Sequence, residues 1–510
     1  MSQVKNVVMI MCDSWQFNYL GCYGNDWIKT PNIDRLARES TLFENAYAEG
    51  LPTIPVRRAL ATGRYTLPFA GWVPLGYEDT TLADVLYRNH TQTALIADCP
   101  MMHLPKYGYS RGFDRVVYQR GQEGDHFYQN DPLLHLSPVD FHKPWHNPET
   151  KGTKYQKEAD ISMLTMKELM SYLSRRQHWT SDEDQYCALT CREAVRYLEK
   201  NVDREKPFFL WADFFDPHEP WDPPSVYDPD MKCPYDPDYE GKDLILPVPN
   251  KVEGMYTEEE MHHIRMLYAE KITMTDKWVG VLLDRMKQLG FYENTMIVFL
   301  ADHGEPLGNG EHGHGLMRKC RPWPYEELVH IPLIIRHPDV EPQRNDSFVQ
   351  TPDIAPTVLD YFGVEEEEIR EEIQGLSLMP LIKGEKEKLR DFAIAGYHNF
   401  SWSIITEDWS YIHWLHEGEF SDDLDKMVGF YAELTEQMIP DLYEDSMRLT
   451  KEDKIWSCTP GAHAETPDID ELYNRREDPF QLNNIIKDKK KTANDLWVQL
   501  RDYMLELKST

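Results

Sequence analysis

The 510-residue chain is far longer than one ordinary core requires, and its 41% of hydrophobic residues can fill one large domain with an appendage, or two to three domains. Its 54 basic residues against 87 acidic ones leave a net charge of −33, a field that repels phosphate backbones and anionic lipid headgroups and so argues against nucleic acid and membranes as partners. A small anionic ligand would have to be drawn in by local cations, so clustered Arg, Lys and metal ligands are the informative features.

The first apolar run, Val7 to Met11, is too short for a leader core or a membrane span, and no later run reaches eighteen apolar residues. The eight cysteines (Cys12, Cys22, Cys99, Cys187, Cys191, Cys233, Cys320 and Cys458) show no C-x-x-C pair or metal-type spacing. Reduced thiols in a cytoplasmic protein are the expectation. Val7 to Met11 reads as a buried parallel strand that delivers Cys12-Asp13-Ser14 at its carboxyl end. Similar strands are predicted at Thr93 to Ala97, Phe208 to Asp213 and Met296 to Ala301. Helical stretches precede them, at Leu82 to Tyr87, Asp184 to Lys200 and Thr257 to Leu289, the last closed by Gly290. Alternating strands and helices imply an α/β fold around a mostly parallel sheet.

Residues 119–182 form a polar, aromatic insertion, with a helix near Ser162 to Arg175, of the kind that shapes a substrate mouth; Phe127, Tyr128, Trp145, Trp179 and Trp221 are either mouth or core residues. Glu365 to Glu368 with Glu371 and Glu372 reads as a solvated helix face. Short strand-like pieces follow at Phe392 to Tyr397, Ser403 to Thr406 and Tyr411 to Trp414, then a helix at Thr492 to Leu507. The division expected is a catalytic domain over 1–385 and a smaller α+β domain over 386–510. Glu419 to Pro467 is left open between covering the site and contacting another subunit of a homo-oligomer.

Open α/β sheets gather their functional groups beyond the carboxyl ends of the strands. Here those ends read Asp13, Asp98, Asp213-Phe-Phe-Asp216-Pro-His218 and Asp302-His303. So many acids at one sheet edge destabilise the fold unless a cation lies among them. Thr53-Ile-Pro55-Val-Arg57 through Thr62-Gly63-Arg64 is the other informative stretch. If Pro55 starts a helix, Thr53 lies just ahead of an N-terminus that favours an anion, with Arg57 and Arg64 adding charge. Thr53 is then either a metal-activated nucleophile or simply the helix cap.

The same stretch resembles the signature of the sulfatase family within the alkaline phosphatase superfamily, C-x-P-x-R followed by T-G-R, with Thr53 in place of Cys or Ser. Leu20-Gly-Cys-Tyr-Gly24, Phe214 to Trp221, Asp302-His303-Gly304-Glu305, Tyr325 to Ile335, Thr351 to Leu359, Gly375 to Leu381, Glu471-Leu-Tyr473 and Asp478-Pro479 also resemble family segments, in family order. The resemblance implies an alkaline-phosphatase-like fold and one divalent metal held by Asp13, Asp302, His303 and the Thr53 oxygen. Oxygen ligands with one imidazole suit Ca²⁺, Mg²⁺, Mn²⁺ or Zn²⁺; Ser14 in place of a second acid, with His303 in place of Asn, favours Mn²⁺ or Zn²⁺. It also implies His218 as acid to the leaving oxygen, Arg57 beside the nucleophile and Lys319 as a substrate-oxygen contact, with His312 and His314 as rivals for that space. Where sulfatases often carry G-K-x-H, this chain has Ala97-Asp98-Cys-Pro-Met-Met-His103; His103 is the candidate substitute for the histidine, and the lysine is missing. Threonine cannot become formylglycine, so none is expected. The substrate implied is a small anionic ester carrying a single charge, with phosphodiester or phosphonate monoester favoured, sulfate ester the alternative, and a binding-only relative the second alternative.

Overall fold

The computed structural model describes residues 4–122, 125, 133–143, 166, 169–308, 313–319, 322–364, 373–416 and 467–509. Its strands in chain order are β1 (Asn6–Cys12), β2 (Thr41–Tyr47), β3 (Gln92–Ala97), β4 (Arg115–Tyr118), β5 (Phe208–Phe214), β6 (Asn250–Lys251), β7 (Thr295–Ala301), β8 (Leu307–Gly308), β9 (Leu316–Met317), β10 (Leu333–Arg336), β11 (Gln343–Gln350), β12 (Phe392–Tyr397), β13 (Ser401–Thr406), β14 (Trp409–Trp414) and β15 (Glu471–Asn474). Eight of them make one sheet in the order β11-β2-β10-β7-β1-β5-β3-β4. Within it β10 runs antiparallel to both its neighbours and the other pairings are parallel. This is the mixed, mostly parallel sheet flanked by helices that the alternating pattern implies. β1, β5 and β7 are buried along their whole length, as continuous apolar runs covered on both faces must be.

The strands not anticipated have physical reasons for being faint. β11 reads QRNDSFVQ, a polar edge strand with its apolar residues at one end, and β4 and β10 are only four residues long. β2 interrupts its apolar pattern with Glu44 and Asn45. The long helix Glu258–Leu289 begins in a capping box of Thr257 with Glu260 and ends at Gly290 in the left-handed region, φ 77°.

β12 to β15 form a separate antiparallel sheet, on which the helix Lys490–Ser509 buries Leu496, Leu500 and Met504 against Ile394, Ile404 and Leu472. Tyr65 and Leu67, just past Thr62-Gly63-Arg64, belong to that same core, and Gly396 O accepts from Leu51 N at 2.9 Å. The C-terminal sheet therefore braces the loop that leads into Thr53. Trp179 packs with Tyr172 and Tyr186, and Trp221 lies edge-on to Tyr268; both are core residues, which decides between the two roles left open for them. Phe127, Tyr128 and Trp145, the Glu365–Glu372 run, the first part of the helix near Ser162 to Arg175 and nearly all of Glu419 to Pro467 lie outside the described residues. Cys12, Cys22, Cys99, Cys187, Cys191 and Cys233 are free thiols.

Candidate active site

Strands β7, β1 and β5 lie side by side, with Cys12 registered on Ala301 and on Phe214. The residue after each strand therefore emerges at one place. Asp13 N donates to Phe214 O (2.9 Å) and Asp302 N to Cys12 O (3.2 Å), so Asp302-His303, Asp13-Ser14 and the Phe215 to His218 loop share one corner. Gly304 turns the chain against its neighbour so closely that a Cβ there would lie 2.1 Å from Glu327 O. Ser14 holds a left-handed φ of 61°, donating from N to Asp302 Oδ1 (3.0 Å) and from Oγ to Asp13 Oδ1 (2.9 Å).

Ligand atoms of Asp13, Asp302 and His303 lie within 4.8 Å of one another, and all three residues are fully buried. His303 donates from Nδ1 to Gly304 O (2.7 Å), which leaves the Nε2 lone pair facing the two carboxylates (3.9 Å to Asp13 and 3.6 Å to Asp302) and Thr53 Oγ1 (3.4 Å). Burial depresses the imidazole to about 4, so it is a neutral ligand at ordinary pH. Burial raises the Asp13 carboxyl, and Asp302 beside it adds to the rise while Arg57 opposes it. Two oxygen donors, one imidazole and an uncompensated negative charge fit a divalent cation.

The helix carrying Thr53 starts at Thr53 itself, two residues earlier than the Pro55 start expected. Pro52 occupies the cap position with no side-chain capping bond, so the capping role left open for Thr53 is not the one it has. Its hydroxyl is turned toward His303 Nε2 instead, and the residue is 2% exposed. Arg57, one turn on, is fully buried and spent on carboxylates. Nη1 reaches Asp13 Oδ2 (2.9 Å) and Asp302 Oδ2 (2.8 Å), while Nε and Nη2 grip Asp213 at 3.0 and 2.7 Å. Arg57 thus holds the ligand carboxylates in place, and Arg64 lies over the Phe69 ring, 5.9 Å from its centroid.

The expectation that all four acidic strand ends share a cation needs correcting. Asp213 is answered by Arg57, and Asp216 by Lys271 at 3.0 Å. Asp98 accepts from Phe215 N (2.8 Å) and Gln122 Nε2 (3.1 Å), with burial pushing its carboxyl well above the usual range. Of the strand-end acids, Asp13 and Asp302 are the two that converge with His303.

His218 and Lys319 meet beside this group. His218 donates from Nδ1 to Glu219 O (2.6 Å), so its Nε2 accepts from Lys319 Nζ at 2.6 Å. Burial first, then the neighbouring ammonium, depresses His218 to about 3 against the pull of Glu219. Burial opposes charge on Lys319, but Glu219, Glu305 and Asp13 outweigh it and hold the ammonium above its ordinary value. Of this pair the lysine is the proton holder. Lys319 Nζ also lies 3.5 Å from Ser14 Oγ and 3.8 Å from Glu305 Oε2.

The rival His314 is engaged by other groups, and the candidate substitute His103 sits beside Asp125. His314 stacks on Tyr325 and has both ring nitrogens engaged, Nδ1 with Glu327 Oε1 (3.2 Å) and Nε2 with Gln481 O (3.0 Å), which leaves neither for an ester. His103 lies 3.9 Å from Asp125, beside Arg120 and Tyr118, with Nε2 lacking a hydrogen-bond partner among the described residues. His312 is outside the described residues. Sequence reasoning missed Glu219, Arg318 and Glu305, all buried around Lys319; the adjacent Arg318-Lys319 pair in so acidic a chain was the available signal.

The Sulfatase family model matches residues 5–364, and the model described as N-sulphoglucosamine sulphohydrolase, C-terminal, matches residues 310–453. The chain belongs to the sulfatase family, whose members hydrolyse sulfate or phosphonate esters, and it is an enzyme of that kind. It is 28% identical over 447 residues to an arylsulfatase of Clostridium perfringens, covering 81% of this chain and 86% of that protein. A phosphonate monoester hydrolase of Agrobacterium radiobacter superposes with a TM-score of 0.63 at 19% identity, covering 99% of this chain and 95% of that one. The structure of BT4656 in complex with its substrate D-glucosamine-2-N,6-O-disulfate gives a TM-score of 0.64 at 20% identity, covering 100% of this chain and 99% of the other. These two likenesses define the fold.

Proposed function

We propose that this chain is a metal-dependent hydrolase of a singly charged phosphorus ester, a phosphodiester or a phosphonate monoester, with Thr53 as nucleophile. The observation that carries the proposal is the Thr53 hydroxyl, 3.4 Å from His303 Nε2 at the Asp13–Asp302–His303 group and free of any capping bond. Asp13, Asp302 and His303 would hold the divalent cation, with Mn²⁺ or Zn²⁺ favoured, and Thr53 would complete its shell. When bound, such an ion favours ionisation of a neighbouring hydroxyl and takes up charge on the ester's oxygens.

Thr53 Oγ1 forms a bond to phosphorus while the leaving oxygen departs with the electron pair and takes a proton from the Lys319–His218 pair. Water then cleaves the threonine ester at phosphorus. Oxidation at the threonine Cβ would give a ketone, so the formylglycine route is closed, and a threonine sulfate is a poor species to resolve by direct attack at sulfur. Charge bears on how many charges the ester carries, and sulfate monoesters, phosphodiesters and phosphonate monoesters each carry one. Asp13, Asp213 and Asp302 against Arg57 leave two negative charges, which a divalent ion cancels. Lys319 and Arg318 face Glu219 and Glu305, the latter with a carboxyl that burial pushes well above its ordinary value. A site whose acids cancel most of its cations suits a monoanion better than a dianion.

Sulfate-ester hydrolysis is the second reading, favoured by the identity to the arylsulfatase. Turnover of bis(4-nitrophenyl) phosphate, 4-nitrophenyl phenylphosphonate and 4-nitrophenyl sulfate, each with Mn²⁺, Zn²⁺, Mg²⁺ and Ca²⁺, separates the two. Phosphorus esters are expected to lead; turnover of the sulfate alone establishes the second reading, and turnover of none marks a binding-only relative.

A further inference from the structure

Glu219 takes no part in the bond changes just described, yet it touches both members of the proton-holding pair. Its carbonyl accepts from His218 Nδ1 at 2.6 Å, which fixes the imidazole tautomer and leaves Nε2 as an acceptor. Its carboxylate lies 3.3 Å (Oε1) and 3.4 Å (Oε2) from Lys319 Nζ, and Oε2 is 3.3 Å from His218 Nδ1. The same carboxylate pairs through Oε1 with Nε and Nη2 of Arg318. The residue is fully buried, so water does not screen these contacts.

Arg318 and Lys319 are neighbours in sequence and both bond Glu219. Neighbours in a regular extended strand point to opposite faces. Here Arg318 sits just past β9 with a left-handed φ of 61°, a conformation disfavoured for a residue with a Cβ. Strain of that kind persists where the surroundings demand it. A carboxylate that only neutralised a buried guanidinium would need Arg318 alone and would have no reason to reach Lys319.

We propose that Glu219 is a positioning residue for leaving-group protonation, keeping the Lys319 ammonium against His218 Nε2 in the geometry from which the proton is delivered. The proposal rests on the reading above for the direction of that proton. In the balanced step Thr53, its hydroxyl proton already released to solvent, forms the Oγ1–phosphorus bond, the phosphorus–leaving-oxygen bond breaks with its pair on oxygen, and that oxygen takes one proton from Lys319 Nζ. This leaves a neutral amine beside His218, and the later attack of water on the threonine ester returns the proton.

The test compares wild type, E219Q and the double variant E219Q/R318M on matched methyl and 4-nitrophenyl esters of one phosphonate. E219Q should lose about 100-fold in kcat/KM on the methyl ester, whose alcohol needs the proton, and less than ~10-fold on the nitrophenyl ester. The double variant removes the orphaned guanidinium along with the carboxylate. It should recover the melting temperature and metal content of wild type but not the methyl-ester activity. Equal loss on both esters in E219Q, or restored methyl-ester turnover in the double variant, overturns the proposal. A crystal structure of the double variant tests the same point without any substrate. Lys319 Nζ and His218 Nε2 should stand apart there, and a persisting contact at the wild-type distance shows that Glu219 does not set the pair. Failure of wild type on every ester would instead sink the functional reading, with the crystallographic result still deciding what Glu219 does.

Discussion

Asp302→Asn isolates the charge of the metal group from its shape. Asp302 Oδ1 accepts from Ser14 N at 3.0 Å and His303 N at 2.8 Å, and an asparagine oxygen can keep both bonds. The charge lost is the one at Oδ2, which accepts from Arg57 Nη1 at 2.8 Å; the amide nitrogen there cannot accept, so Arg57 also gives up that bond while keeping Asp13 and Asp213. With ligand atoms within 4.8 Å, the Asp13 and Asp302 charges repel by about 3.5 kcal/mol at an effective dielectric near 20, and a bound cation converts that repulsion into attraction. At a metal concentration of about 100 Kd the wild-type fold should gain about 2.7 kcal/mol, or roughly 3 °C in melting temperature for a chain of this length. The variant should gain less than ~1 kcal/mol at the same concentration, and its turnover should fall about 100-fold or more. Differential scanning calorimetry of chelator-stripped protein, with and without added Mn²⁺ or Zn²⁺, reads the first effect, and elemental analysis reads occupancy. An equal metal-induced shift in wild type and variant, or full activity in stripped wild type, would refute the assignment of the metal to this group.

Two further outcomes follow from buried groups elsewhere around the nucleophile. His218→Ala should lose about 100-fold or more on alkyl esters and less than ~10-fold on nitrophenyl esters, because the latter leave without help; an equal loss on both removes the pair from proton delivery. Glu49, four residues before Thr53, is fully buried and accepts from Thr66 N (2.8 Å), Thr66 Oγ1 (2.7 Å) and Leu67 N (3.0 Å), and burial raises it from 4.5 to about 7. A folded-state value above the unfolded one means that its contribution is complete below about 4.5 and is lost as pH climbs through about 7. The stability gap between wild type and Glu49→Gln should therefore narrow by up to about 3 kcal/mol between pH 5 and pH 8. Thermal unfolding at the two pH values checks this, and a pH-independent gap contradicts it.

What could be read from the sequence was what local chemistry determines. Val7 to Met11 and Met296 to Ala301 are short, continuous apolar runs of the length of buried parallel strands, and each is followed within two residues by the aspartate that emerges at the site. Thr257 and Gly290 mark the long helix with a cap and a left-handed stop. Edge strand β11 was illegible because six of its eight residues are polar and its two apolar ones are adjacent, which gives no alternating signal. The start of the Thr53 helix was misplaced because Pro55 is the visible helix starter, while the loop before Thr53 is tied down by the C-terminal sheet far along the chain. His314 looked like a site histidine until the fold brought Gln481 and Glu327 to its two nitrogens. Glu219 and Arg318 meet across 99 positions, and no periodicity or spacing encodes such a contact.

The covalent state of Thr53 during turnover decides whether the threonine is the nucleophile. Wild-type enzyme reacting with 4-nitrophenyl phenylphosphonate or bis(4-nitrophenyl) phosphate is quenched in acid within milliseconds, and the peptide containing Thr53 is weighed by accurate mass. A phosphorus ester on Thr53 is expected in the quenched sample and not without substrate, together with loss of all turnover in Thr53→Ala at unchanged metal content. Substantial turnover by verified Thr53→Ala would mean that water attacks the ester directly, and a sulfated Thr53 formed from 4-nitrophenyl sulfate alone would keep the nucleophile but contradict the phosphorus substrate.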